Sequence, residues 1–340
     1  MMVRQLRLWS GLIFAVFVVL HLSNLSLGLI SYDAMESMRR WLDPVWSSLP
    51  GQVLLYGSLL THVSLALWGL YIRQTLRMRR WEAVQIAMGV VIPLLLLGHV
   101  VGTRGLHQRF GLSPDYATVM TVLWGDPVLG GRQALALLVV WAHLVIGVHF
   151  WLRFRAAYRT WLPVLYPAAV LIPTLALAAY VRVGLELPGL AERPDWRADW
   201  LDRYAELSEV QIAALQSMTP IGYGIVAGLL ALVLIARQLR RGFRARFGSH
   251  RLRLADGTRV SVPRGWTVLE ALRAEGIPHA SVCGGRGRCT TCRIRIDSGD
   301  EDLPTPNETE STALQRIGGP EGVRLACQLR PDANLTVTPL

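Results

Sequence analysis

Three of the four cysteines fall within ten residues, Cys283-Gly-Gly-Arg-Gly-Arg-Cys289-Thr-Thr-Cys292, and thirty-four residues then intervene before Cys327. Four thiolates can hold a zinc ion or an iron–sulfur cluster. Zinc sites usually come as two CxxC-like knuckles. Here three ligands come from one tight loop and the fourth from a distant segment, which suits a two-iron cluster, with zinc as the alternative. Gly284, Gly285 and Gly287 let backbone N–H groups approach the sulfurs and stabilise their negative charge. Arg286 and Arg288 flank the loop, where they could raise a cluster's potential or guide an acidic partner, or lie solvated on the surface.

A second set of residues is out of place in its surroundings. His21, His62, His99, His143 and His149 all lie within long apolar runs. Ionisable residues inside membrane spans are costly and are by default functional. Imidazole is also a common axial ligand of haem, and cofactor sites in helical bundles are built from facing helices. Isolated polar residues and proton relays are the alternatives. A relay would be expected to include intramembrane Asp or Glu, and the first four apolar runs carry none away from their ends.

The elements that position these residues follow from hydropathy. With 52% hydrophobic residues and twelve Trp among 340, the chain reads as a membrane protein. Six segments are long and apolar enough to cross a bilayer: Leu8–Ile30, Val53–Ile72, Ala83–Gly102, Ala134–Trp151, Leu162–Val183 and Ile221–Ala236. The first is longer than a signal-peptide core and has no small-residue cleavage site before Ser31, so it reads as a retained span.

The charge of +11 comes entirely from Arg, in short clusters between apolar runs, a topology signal that argues against nucleic acid as a partner. Arg4 and Arg7, Arg73–Arg80, Arg153–Arg159 and Arg237–Arg246 all fall on one side of a six-span arrangement, predicted to be cytoplasmic. On the opposite side, Trp196, Trp200 and Tyr204 are spaced to form an amphipathic surface helix or lie in a solvated acidic loop.

At about 1.5 Å per residue, His62 and His143 lie roughly 16 and 15 Å from the nearest cytoplasmic Arg, matched in depth. His21 and His99 lie roughly 21 and 28 Å in, towards the outer leaflet. Two pairs are therefore expected, His62 with His143 and His21 with His99. His149, about 6 Å in, reads as interfacial or hydrogen-bonding, although it could replace His143; His107 belongs to the outer loop. Arg104 and Arg132, at the outer ends of the third and fourth spans, are candidate partners for haem propionates.

After Arg246 the composition becomes that of a soluble domain. HRLRL and RVSV flank an Asp256-Gly257 turn, TVLEALRAEG reads as a helix ending at Gly276, and RIRID, VRLACQL and LTVTP supply further strands, with a short helix at Glu308–Ile317. The expected organisation is a six-span membrane domain over 1–240, a basic linker over 241–249 and a small α+β domain over 250–340.

The run Cys283–Cys292 with Cys327 in LACQLRP resembles the [2Fe-2S] ferredoxins of the β-grasp fold, with the longer first gap of the adrenodoxin-like and related bacterial forms. The histidine pattern, including WAHLVIGVHFWLR, is similar to the dihaem cytochrome b anchors of succinate dehydrogenase and fumarate reductase. The combination resembles the N-terminal half of certain bacterial membrane adenylate cyclases. Those continue into a catalytic domain and this chain stops at Leu340, so no cyclase activity is expected.

The resemblance implies an all-α six-helix transmembrane bundle followed by a β-grasp ferredoxin domain. It also implies one [2Fe-2S] cluster, two b-type haems, and a quinone or quinol as the redox partner within the lipid bilayer. The expected function is electron transfer at a bacterial inner membrane, with the N-terminus and ferredoxin cytoplasmic. The alternative is a redox-sensing component that reports to an unidentified cytoplasmic redox or signalling protein, such as an adenylate cyclase. A transporter with a regulatory metal domain would call for broken helices and internal repeats, and the sequence carries no repeat.

Overall fold

The long apolar runs become helices because each buries its backbone polar groups in its own ladder, the requirement a bilayer imposes. The computed structural model describes residues 2–153, 155, 157–194, 197, 209–246, 248–299 and 303–340. The described residues fall into two compact units: one comprises Met1–Leu67 and Ala83–Leu230, the other Trp68–Glu82 and Ala231–Leu340.

The helices are α1 (Met2–Ser26), α2 (Tyr32–Ser47), α3 (Leu49–Ile72), α4 (Arg80–Val100), α5 (Leu106–Phe110), α6 (Tyr116–Gly125), α7 (Pro127–Leu152), α8 (Tyr158–Ala191) and α9 (Glu209–Arg246). Among the described residues, six helical stretches are long and apolar enough to cross a membrane: Gln5–Leu29, Leu49–Ile72, Arg80–Phe110, Pro127–Leu152, Tyr158–Gly189 and Ala213–Arg244. These are the six expected spans, each extended. The third continues from α4 through one π-helical turn, Val101–Gly105, into α5. His107 therefore sits on a helix, not in a loop. The basic segment expected as a linker is also helical as far as Arg246, and β1 begins at Ser249.

The connections between the first and second spans and between the third and fourth hold two helices that a search for spans passes over. In α2, Ser31 caps the start by accepting from the Ala34 N–H at 3.0 Å. Asp115 caps α6, accepting from the Thr118 N–H at 2.8 Å. Glu36 of α2 is buried and accepts three hydrogen bonds of 2.6–3.0 Å from the Arg39 guanidinium. The Asn24 amide donates to the Tyr116 hydroxyl at 3.1 Å, tying α1 to α6. Trp196, Trp200 and Tyr204, expected on an outer surface helix, lie outside the described residues.

The helical core collects Val18, Leu22 and Leu25 from α1, Leu137 and Trp141 from α7, and Ala176, Tyr180 and Val183 from α8. Small residues set the closest approaches, as expected where helices associate by packing. A Cβ at Gly28 would lie 2.9 Å from Val183, and Trp124 lies directly against Gly184.

The second unit holds a five-stranded mixed sheet in the order β2-β1-β5-β3-β4, from β1 (Ser249–Leu254), β2 (Arg259–Pro263), β3 (Arg293–Ser298), β4 (Val323–Leu325) and β5 (Leu335–Pro339). β1 pairs parallel with β5 and every other pairing is antiparallel. This is the α+β architecture expected of a β-grasp ferredoxin. Helix α10 (Val268–Glu275) starts on a capping box between Thr267 and Glu270 and stops at Gly276, which takes a left-handed φ of 77°. Its Val268, Leu269 and Leu272 join Leu252, Val262, Ile294, Leu325 and Val337 in the core. Helix α11 (Glu308–Gln315) is fixed from below by Glu310, fully buried, which accepts from Arg324 at 2.9 and 3.0 Å and from the Leu325 N–H at 2.7 Å.

Candidate cofactor sites

The cysteine loop leaves α10 and enters β3, so its ends are held by helix and sheet. Within it Gly284, Gly285 and Gly287 take φ of 76°, 93° and 64°, and Thr290 takes 54°. This left-handed backbone turns N–H groups inward. Cys283, Cys292 and Cys327 are buried and Cys289 is half-buried. The Cys283 N–H donates to Cys289 Sγ and the Arg286 N–H to Cys283 Sγ, both at 3.2 Å. Thr291 Oγ1 lies 3.0 Å from Cys289 Sγ, and the Gln328 amide donates to Cys327 Sγ at 3.4 Å. The Thr291 hydroxyl and the neighbouring amides hold the Cys289 thiol below its ordinary value against the opposing effect of burial. The hydrogen bond from the Cys292 thiol pushes Cys327 down to about 7 and Cys292 up.

The thiols thus fall into two linked pairs, Cys283 with Cys289 and Cys292 with Cys327. A two-iron cluster takes two thiolates at each iron. Four thiols, inward amides and a glycine wall fit that group. A Cβ at Gly285 would already touch Leu269 at 3.5 Å and Cys327 at 3.9 Å.

In the helical unit, His21 of α1 faces His99 of α4 with ring centres 6.1 Å apart, and His62 of α3 faces His143 of α7 at 6.5 Å. These are the two pairs that depth along the helices predicts. A metal–imidazole bond is about 2 Å long, so one metal atom between two rings sets their centres about 6 Å apart. Nδ1 of His99 and Nδ1 of His143 are buried without a protein partner. His62 Nδ1 faces the Arg7 carbonyl at 3.1 Å, which leaves its Nε2 for another role.

Glycines make the room. A Cβ at Gly11 would lie 2.9 Å from the His62 ring and one at Gly89 3.3 Å from the His143 ring. The donor type, the spacing and the orphaned nitrogens fit a group held between the rings. The π-helical turn beginning two residues after His99 is of the kind often found at functional sites.

His149 stands apart from both pairs, its Nδ1 2.8 Å from the Tyr158 hydroxyl, and His107 Nδ1 lies 2.8 Å from Ser113 Oγ. Arg104 pairs with Asp43 at 3.7 Å, and Arg132 donates to the Tyr223 hydroxyl at 2.9 Å while lying against Gly98. Arg288 is exposed. Sequence reasoning missed Gly11, Gly89 and Gln85, whose amide donates to the His143 carbonyl at 3.0 Å. It also missed Thr291 and Gln328, which adjacency to Cys292 and Cys327 could have flagged.

Comparison with known proteins agrees with the cysteine geometry. Residues 254–332 match the 2Fe-2S iron-sulfur cluster binding domain. The carboxy-terminal domain is a 2Fe-2S ferredoxin-type domain. Among similar proteins is a component of the Na(+)-translocating NADH-quinone reductase of Pseudomonas paraeruginosa, 34% identical over 105 residues, covering 31% of this chain and 24% of that one. Its counterpart in Haemophilus ducreyi is 37% identical over 79 residues, 23% of this chain and 18% of that one. The counterpart in Pseudomonas aeruginosa is 33% identical over 105 residues, 31% and 24%. The chain spans about a quarter or less of the length of these curated relatives.

Proposed function

We propose that this chain is a membrane-bound electron carrier. Cys283, Cys289, Cys292 and Cys327 are the ligands of its [2Fe-2S] cluster, and the pairs His62–His143 and His21–His99 are the axial ligands of two b-type haems. A quinone or quinol of the bilayer is its redox pool, and the Arg-rich face is cytoplasmic, in a bacterial inner membrane. The observation that carries the haem reading is the meeting of two half-buried imidazole pairs, each drawn from two different helices, at 6.1 and 6.5 Å. Such groups when bound exchange single electrons at potentials set by ligand type, hydrogen bonding and burial.

The residues of the chain supply the rest. The Arg7 carbonyl orients His62, and the Gln85 amide holds the backbone of His143. Two imidazoles at one iron leave it coordinatively closed, which favours electron transfer over oxygen binding. In the ferredoxin domain the Cys283, Arg286 and Gln328 N–H groups offset thiolate charge. Leu269 packs beside Gly285 on one side of the loop. The NADH-quinone reductase named in the relatives accords with quinone chemistry near this type of ferredoxin.

The test is an optical and EPR spectrum of the purified full chain, with haem and iron counted. Two low-spin b-type haems and one [2Fe-2S] cluster per chain are expected. A chain holding the cluster but no haem after assembly with iron and porphyrin supplied would remove the haem reading and leave the ferredoxin one.

A further inference from the structure

Ser281 and Val282 lie immediately before Cys283, and two guanidinium groups from distant segments converge on them. Arg79 belongs to the connection between α3 and α4, yet it reaches across 202 residues of sequence to donate to the Ser281 carbonyl at 2.7 Å and to the Val282 carbonyl at 3.1 Å. Arg273, at the end of α10, donates to Ser281 Oγ at 2.8 Å and lies 4.0 Å from where a Cβ would stand on Gly285, inside the cysteine loop.

Ser281 is itself buried, and its carbonyl also accepts from the Gly284 N–H at 2.9 Å. The Arg79 segment is braced in turn. Arg73 pairs with Glu82, and Arg237 of α9, 1% exposed, donates to the carbonyls of Arg73 at 2.8 Å and Gln74 at 2.9 Å. All of these residues belong to one compact unit.

We propose that Arg79 and Arg273 form a two-guanidinium latch on Ser281-Val282. The latch positions the cysteine loop on the connection between α3 and α4, and it places the cations that raise the potential of the group the loop holds. The inference rests on the reading of the four thiols as a cluster site. It assigns the tuning charge to Arg79 and Arg273 rather than to the neighbours in sequence, Arg286 and Arg288. A guanidinium suits the task because its rigid fork satisfies two carbonyl oxygens at once, whereas a lysine offers a point charge without that geometry.

The difference between fork and charge provides the test, made on the full chain in a bilayer disc with Arg79→Gln and Arg79→Lys. Loss of the fork in either variant should speed hydrogen exchange about ten-fold at the hydrogen-bonded amides of Val282, Cys283 and Gly284, leaving β2 residues 259–263 unchanged. Loss of the charge, in Arg79→Gln alone, should lower the midpoint potential of the EPR-detected cluster, while Arg79→Lys holds it near that of the unsubstituted chain. An anchor with no electrostatic role would shift exchange and leave the potential unmoved, which would overturn the tuning half of the proposal.

Unchanged exchange in both variants would overturn the latch. Should Arg79→Gln fail to hold a cluster, Arg79→Lys decides by the same exchange outcomes. Absence of an iron–sulfur signal from the unsubstituted chain would strike the cluster reading instead, and the exchange comparison would still decide the latch.

Discussion

The proposed cluster ligands and the proposed haem ligands should be separable by single substitutions. Cys327→Ser replaces a soft thiolate with a hydroxyl beside Cys292 and Gln328. It should abolish or severely reduce the [2Fe-2S] EPR signal while leaving the absorption bands of the proposed haems in place, because both facing histidine pairs lie in the helical unit. On the proposed haem reading, His62→Ala and His143→Ala should each remove the same one of two haems, since each leaves a single ring where two now face one another at 6.5 Å. Haem quantified per chain should fall to about half in either variant and fall no further in the double variant. Loss of neither haem in either variant would end the pairing.

At the scale of elements, the ferredoxin sheet depends on a buried charge pair that the sequence does not advertise. Glu310 on α11 is fully buried and its forked bond to Arg324 anchors α11 on β4, two residues before Cys327. Glu310→Ala strands the Arg324 charge and should destabilise the domain by about 3–5 kcal/mol. This can be read as an earlier loss of the cluster's visible absorption on heating. In a sequence without an alignment, Glu310 is one acid among several on a polar helix. Only its place beneath Arg324, fourteen positions away, gives it meaning.

The same contrast runs through the rest of the chain. Spans and hairpin were legible because hydropathy and turn chemistry are local. The histidine pairing was legible because depth along a helix is a simple count. The α2 and α6 helices were not, being too polar or too short to register in a search for spans. The basic stretch 241–249 carries no local sign of its conformation, and Arg237–Arg246 continues α9 as helix. Arg79 was illegible for the plainest reason: its partners lie 202 and 203 residues away.

Over the whole molecule, charge placement makes the last prediction. An even number of spans returns the chain to the side where it began, and the Arg clusters at 4–7, 73–80, 153–159 and 237–246 all fall on that side. The sulfur chemistry accords with the same side: thiolates that are to serve as ligands keep best in a reducing compartment and would tend to oxidise to disulfides in a periplasm. The arginine pattern and the thiol chemistry both accord with the proposed cytoplasmic placement of the ferredoxin domain. Single cysteines introduced at Asp33 and Thr75 of a chain whose native cysteines are Ser should separate them. A membrane-impermeant thiol reagent added to intact spheroplasts should label position 33 and spare position 75, and inverted vesicles should reverse the pattern. Labelling of position 75 from outside would turn the molecule over, and with it both the direction in which electrons enter and the compartment that supplies the partner of the cluster.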